Sequence, residues 1–152
     1  MKIHQDFRDL LAEFVDEKVE FMVIGGYAVA YYDRPRYTKD IDLWINPAPT
    51  NIDAASRALA SFGAPLHIVN ALRNAREDEI VWLGTPPLRI DFLRAVAGMH
   101  FEEAWQRREM VRWDDIDVPV IGIDDLLASK RAAGRPQDLV DVANLERVKM
   151  RR

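Results

Sequence analysis

The stretch that most constrains the fold runs over residues 24–45 and reads IGGYAVAYYDRPRYTKDIDLWI. An apolar strand ending at Ile24 meets the pair Gly25-Gly26. A short helical segment follows, stops before Pro35, and gives way to a second apolar strand that opens on two aspartates. Alternate residues of a strand share a face, so Asp40 and Asp42 point one way while Ile41, Leu43 and Ile45 point the other. Two parallel carboxylates on a rigid strand suit a hard divalent cation. A Gly-Gly turn that opens a helix offers backbone N–H groups and the positive end of the helix dipole to a phosphate. An isolated D-x-D is more often a solvated strand end, and Gly-Gly more often only a turn. Packed into one strand–helix–strand unit, the two make a metal and phosphate site, the apparatus of phosphoryl or nucleotidyl transfer.

A third acid stands in a second strand-like run. Over residues 88–93 the chain alternates, with Leu88, Ile90 and Phe92 on one face and Arg89, Asp91 and Leu93 on the other. An Asp in such a run costs stability unless it is paired or binds a metal. Its structural alternative is a salt bridge to a neighbouring Arg.

On these residues the chain resembles the nucleotidyltransferase superfamily with the DNA polymerase beta-like fold. The run Arg36-Tyr37-Thr38-Lys39-Asp40-Ile41-Asp42 after a Gly-Gly pair resembles, more narrowly, small bacterial enzymes related to the AbiEii-type toxins. Lys130, followed by Gly134-Arg135-Pro136-Gln137-Asp138 and Asp141, is similar to the Lys and Asp pair those proteins carry on their last helices. Many superfamily members have Gly-Ser where this chain has Gly25-Gly26, so one hydroxyl contact to phosphates is absent here. Backbone N–H groups can take its place.

Composition fits a single soluble domain over residues 1–152. The content is 49% hydrophobic and 30% charged, globular rather than disordered. No apolar run approaches the roughly 18 residues that span a bilayer, and no signal-peptide pattern opens the chain, so a cytoplasmic protein without membrane contact is expected. With no cysteine, a metal must sit on oxygen or imidazole. A net charge of −4 argues against a generally basic nucleic-acid binder, although Arg34, Arg36, Lys39, Arg107, Arg108 and Arg112 are local basic groups.

The expected fold class is α+β, a mixed central sheet with flanking helices and a C-terminal helical pair. Phe7, Leu10, Leu11, Phe14 and Val15 predict a helix over about 4–18. Strands are expected over about 20–24 and 40–45, with a short helix over 26–32 between them. Asn51 is expected to cap a helix over about 52–62 that Gly63 ends. Residues 64–78 are ambiguous, with His67-Ile68-Val69 a candidate strand. Strands over about 79–83 and 88–93 follow, then a helix over 101–107 and a hairpin of 109–113 with 116–121. Asp124 is expected to cap a helix that closes at Gly134, and Pro136 to start the last one.

Lys130 follows Leu126 and Leu127 at helical spacing and shares their inward face. It either snorkels to solvent or reaches the triphosphate, and the resemblance favours the second. Asp138 and Asp141 lie one turn apart; they form a solvated face or first-turn charge, or they orient Lys130. For Asp141 the solvated face is expected. His4, His67 and His100 show no metal spacing. Trp44 shares the face of Asp40 and Asp42 and suits packing at the core's edge better than flanking a base. Tyr31, Tyr32 and Tyr37 are near enough to stack a base.

The resemblance implies that Asp40, Asp42 and Asp91 hold Mg²⁺ or Mn²⁺ and carry the chemistry. It implies that Gly25, Gly26, Arg36, Thr38 and Lys130 bind a nucleoside triphosphate. A nucleoside monophosphate would pass to a hydroxyl of an RNA, protein or small-molecule acceptor, as a toxin–antitoxin component with a cognate antitoxin or partner protein, or in another role. The alternative of a different class is a non-catalytic nucleotide-binding or regulatory partner of the same fold. A Mg²⁺-dependent hydrolase is a third, lacking a water-activating His near the acids.

Overall fold

The computed structural model describes residues 3–34, 40–85 and 88–152. In chain order these form α1 (Gln5–Asp16), β1 (Phe21–Ile24), α2 (Gly25–Tyr32), β2 (Asp40–Ile45), α3 (Pro49–Phe62), α4 (Leu66–Asn74), β3 (Ile80–Thr85), β4 (Leu88–Leu93), α5 (Phe101–Gln106), β5 (Glu109–Trp113), β6 (Ile116–Val120), α6 (Ile123–Ala133) and α7 (Pro136–Arg151). The strands make one sheet in the order β3-β4-β2-β1-β6-β5. β2 runs parallel to β4 and β1 parallel to β6, and the remaining neighbours are antiparallel. The expected mixed α+β architecture is the one found, C-terminal helical pair included.

Register decides what each face carries. β2 and β4 align Asp40 with Arg89, Asp42 with Asp91 and Trp44 with Leu93. β3 adds Gly84, Trp82 and Ile80 opposite Arg89, Asp91 and Leu93. The intervening residues Ile41, Leu43, Ile90, Phe92 and Val81 are buried on the other side. There α1 lays Phe14 against Phe21 and Phe92, with ring centroids 5.4 and 5.9 Å away. Burying a side chain of this size contributes about 1.5–3 kcal/mol. The apolar alternation thus anchors the sheet and leaves its other face free to carry acids.

Three local expectations are corrected. Residues 66–74 are a helix, not a strand at His67-Ile68-Val69. Val69 and Leu72 are its buried residues, one turn apart, and Pro65 precedes its first turn. Asn51 does not cap α3, which starts two residues earlier at Pro49. Its amide instead pairs with both backbone groups of Glu20, at 2.8 and 3.0 Å, and with the Asn46 carbonyl at 2.9 Å, tying the entry of β1 to the exit of β2. Gly122, not Asp124, is the N-cap of α6. A Cβ at Gly122 would lie 2.6 Å from the Arg107 carbonyl oxygen, so the backbones approach there as only glycine permits. Gly134, at φ +64°, closes α6 as expected.

Candidate active site

The site is assembled where α2 leaves β1. Asp42 and Asp91 occupy facing positions on two parallel, hydrogen-bonded strands, so their carboxyl groups share one small volume. Burial and the nearby Asp91 carboxylate push the Asp42 carboxyl up from its ordinary 3.8 to about 7, and the charge of Asp40 adds to the effect. The charge of Lys130 opposes it. The Asp42 carboxyl therefore keeps its proton until near neutrality unless a cation takes its place.

Gly25 forms the roof. It has φ +67°, and a Cβ there would lie 2.2 Å from Asp42 Oδ2. Any side chain would displace the carboxylate. Gly25 and Gly26 then form the first turn of the eight-residue α2, whose N-cap, Ile24, offers no side-chain acceptor. No capping side chain among the described residues takes up those backbone donors, which belong to the first turn of a helix that starts at the cleft. The glycine pair thus does two things: it admits Asp42 and it presents N–H groups.

The cleft holds about 390 Å³ and has a mixed lining. Gly25, Asp42, Asp91, Lys130, Arg135 and Asp138 line it together with the apolar residues Ile80, Leu93, Ala95, Val96 and Ala97. Lys130 does not snorkel: the residue is only 9% exposed. Its ammonium lies 3.1 Å from Asp141 and 3.4 Å from Asp138. Asp138 and Asp141, each 1% exposed, are therefore not a solvated face, and the expectation for Asp141 is corrected. The reason is tertiary, since α7 packs on α6 and turns the one-turn pair inward onto Lys130. Arg135 clamps Asp138 from the other side at 2.7 and 3.2 Å and holds its carboxyl below the usual carboxylate range.

Asp91 also accepts a 2.7 Å hydrogen bond from Arg89 Nε. The neighbouring-Arg salt bridge expected as the structural alternative is thus present, and it coexists with the apposition to Asp42. Arg89 was legible as a companion of Asp91 from the alternation of 88–93. Trp82 was not, because its place beside Asp91 follows from strand order. Trp44 is buried against Phe101 at 5.3 Å and belongs to the core. Tyr31 and Tyr32 donate to Glu109 at 3.1 Å instead of facing the acids. Arg107 and Arg112 are occupied by Asp125 and Asp117. Arg36, Thr38 and Tyr37 lie outside the described residues.

The donor set fits a divalent cation in part. Asp42 and Asp91 offer facing oxygens, and Asp40 has a buried Oδ1 without a hydrogen-bond partner among the described residues. Among those residues no group of three acidic or imidazole side chains is already gathered as an ion site. The three aspartates are thus one apposed pair plus a neighbour two residues along the strand.

Comparison with known proteins follows the same lines. Residues 1–150 match the family model described as "Nucleotidyltransferase of unknown function (DUF6036)". No curated protein matches the chain significantly. Among solved structures, the lincosamide antibiotic adenylyltransferase LnuA, lincomycin-bound, superposes with a TM-score of 0.62 at 15% identity over 96% of this chain and 98% of that one. TM1012 of Thermotoga maritima, a candidate nucleotidyltransferase, gives 0.61 at 15% identity over 96% and 91%. The antibiotic-resistance factor ANT(2'')-Ia gives 0.59 at 14% identity over 95% and 86%. At such identities the likeness is one of fold. These matches reach the superfamily level of the sequence expectation and not its AbiEii-type refinement. Among the described residues no helix is long and apolar enough to cross a membrane. With the family model spanning nearly its whole length and the fold shared end to end, this chain belongs to that nucleotidyltransferase family and is an enzyme of nucleotidyl transfer.

Proposed function

We propose that the protein transfers a nucleoside monophosphate from a Mg²⁺-bound nucleoside triphosphate to a hydroxyl of a small-molecule acceptor. The observation that carries this reading is the apposition of Asp42 and Asp91 beneath Gly25, in a cleft that also contains Lys130. Asp40, Asp42 and Asp91 would hold the cation, and Mg²⁺ or Mn²⁺ there would neutralise phosphate charge and the charge that develops on entering and leaving oxygens. The N–H groups of Gly25 and Gly26 bind phosphate oxygens at the start of α2. Lys130 supplies positive charge from a position fixed by Asp138 and Asp141. Arg36 and Thr38 retain the phosphate-contact or loop-holding role that the sequence suggests.

Asp91 lines the cleft along with apolar Leu93 and Val96, and it would stand beside the acceptor. The acceptor oxygen attacks the α-phosphorus and a new P–O bond forms. The α–β bridging P–O bond breaks, pyrophosphate leaves, and the acceptor proton passes to Asp91. Arg89, bonded to Asp91, keeps that carboxylate turned toward the cleft. The antibiotic adenylyltransferases of like fold support a small-molecule hydroxyl over the RNA or protein acceptors, and over the toxin–antitoxin role, that the sequence left open. ATP is the donor those names favour. Titration calorimetry tests the core of the reading. ATP should bind with Mg²⁺, lose most of its affinity in excess chelator, and bind poorly to Asp42→Ala. Equal binding in all three conditions would remove the carboxylate metal site.

A further inference from the structure

On the face that carries Asp91, the outermost strand presents two large apolar side chains to solvent. Ile80 and Trp82 of β3 are 48% and 53% exposed, whereas Val81 between them is buried on the opposite face. Trp82 is the cross-strand neighbour of Asp91. The Arg89 guanidinium links the two, bonded to Asp91 and placed 5.1 Å from the Trp82 ring centroid. Ile80 borders the carboxylate cleft and also a second cavity of about 470 Å³ between α4 and β3. His67, Ile68, Asn74, Glu79, Val81 and Trp82 line that cavity, which sits at the outer edge of the sheet and reaches round to the Val81 face. Ile80 is the residue that the two cavities share, and the second is of small-ligand size. Nothing in the fold requires an indole to stand in water on an edge strand beside reacting groups.

On the nucleotidyl-transfer reading above, we propose that Trp82 and Ile80 are the acceptor platform, receiving a small, uncharged, hydroxyl-bearing ring compound whose flat face lies on the indole and whose hydroxyl reaches Asp91. The surroundings set that chemistry. Aliphatic and aromatic walls select an apolar ring face, and the exposed indole is suited to stacking. The nearby cation, Arg89, is already engaged by Asp91, so the surface offers little to an anionic backbone. The cavity bordered by Arg34, Arg147 and Arg151, where a polyanion would find charge, is lined by the ends of α2 and α7 and shares no lining residue with this one.

The test uses protein with ¹⁵N-labelled indoles, first shown by calorimetry to bind Mg²⁺–ATP. Titration with benzyl alcohol, cyclohexanol and methyl β-glucopyranoside should shift the Trp82 indole N–H saturably. The buried Trp44 and Trp113 serve as internal controls that should not move. Trp82→Ala should weaken ring-alcohol binding at least tenfold and leave ATP affinity within twofold, and Trp82→Phe should restore most of it. A Trp82 resonance untouched by all three alcohols would overturn the proposal. So would a response only to an oligoribonucleotide, which would make the acceptor a nucleic acid. Parallel loss of ATP affinity in Trp82→Ala would overturn it too, making the indole a platform for the nucleotide base. Absence of Mg²⁺–ATP binding in the wild-type protein is a separate result, and it sinks the transfer reading itself.

Discussion

Asp42 is the residue on which the proposed chemistry turns, and its environment leaves a measurable trace. Without a cation the folded chain holds a proton there up to about pH 7, whereas the unfolded chain releases it near 3.8. The folded state binds more protons between those values. This contribution to stability is therefore whole below about pH 4 and is lost as the pH rises through about 7. Thermal melts in chelator should show a decline across that window, on the order of 4 kcal/mol if the full shift is expressed and less where it is not. In Asp42→Asn that part of the slope should vanish; an unchanged profile would show that the pair is not coupled as drawn. Asp91 calls for the opposite kind of probe. Asp40 and Asp42 come from one strand and would seat the nucleotide-bound cation without help, whereas Asp91 would act on the attacking hydroxyl; Asp91→Asn keeps shape and removes charge, so Mg²⁺–nucleotide affinity should largely hold while transfer to acceptor falls by at least roughly a hundredfold. Full activity in that variant would reduce Asp91 to the salt-bridge partner of Arg89. The three aspartates and Gly25 were legible from local spacing alone, because strand alternation and a turn are properties of a few consecutive residues. That Gly25 must lack a Cβ to admit Asp42 was not legible, since it depends on β1 and β2 pairing Ile24 with Asp42.

At the scale of elements, two junctions carry the site. The first is the turn from β1 into α2. Gly25→Ala puts a methyl group 2.2 Å from Asp42 Oδ2 at a backbone angle that disfavours side chains, so nucleotide binding should collapse. The same change at Gly134, whose nearest neighbour to a new Cβ is 3.5 Å away, should cost only the strain of its positive φ and spare binding. The second junction joins α6 to α7 through Lys130, Asp138 and Asp141. A buried ammonium between two buried carboxylates is expensive to break. Lys130→Ala should destabilise the fold by on the order of 3 kcal/mol, besides weakening nucleotide binding. Denaturant titration separates the two effects, and a fully stable Lys130→Ala would show that the carboxylates do not depend on it. Helical spacing revealed that Lys130 faces inward. It did not reveal that Asp138 and Asp141 do too, because inter-helix packing sets their environment and local polarity does not. The helix over 66–74 escaped for a related reason: a short apolar run carries no periodicity that separates strand from helix.

For the whole molecule, the order β3-β4-β2-β1-β6-β5 is the organising fact. It sets the strand of Asp91 beside the strand of Asp40 and Asp42, with β1 and its glycine turn on one flank and the apolar edge strand β3 on the other. On the proposed reading, the nucleotide and acceptor sides follow from that order. The strand elements were nearly all readable from alternation, but not their neighbours, since pairing between β2 and β4 joins residues about fifty positions apart. Trp82, the proposed acceptor platform, was invisible beside Asp91 for that reason, and Arg89 only half visible. The most direct measurement of the central claim is which phosphate of the triphosphate travels. The protein should be incubated with Mg²⁺ and a pool of small hydroxylated compounds, using ATP labelled at the α- or the γ-phosphate. Label from the α position should appear on an acceptor, label from the γ position should leave as pyrophosphate, and both should cease in Asp42→Ala. Transfer of the γ-phosphate to an acceptor, release of free phosphate without any adduct, or α-label transfer that survives Asp42→Ala would contradict it.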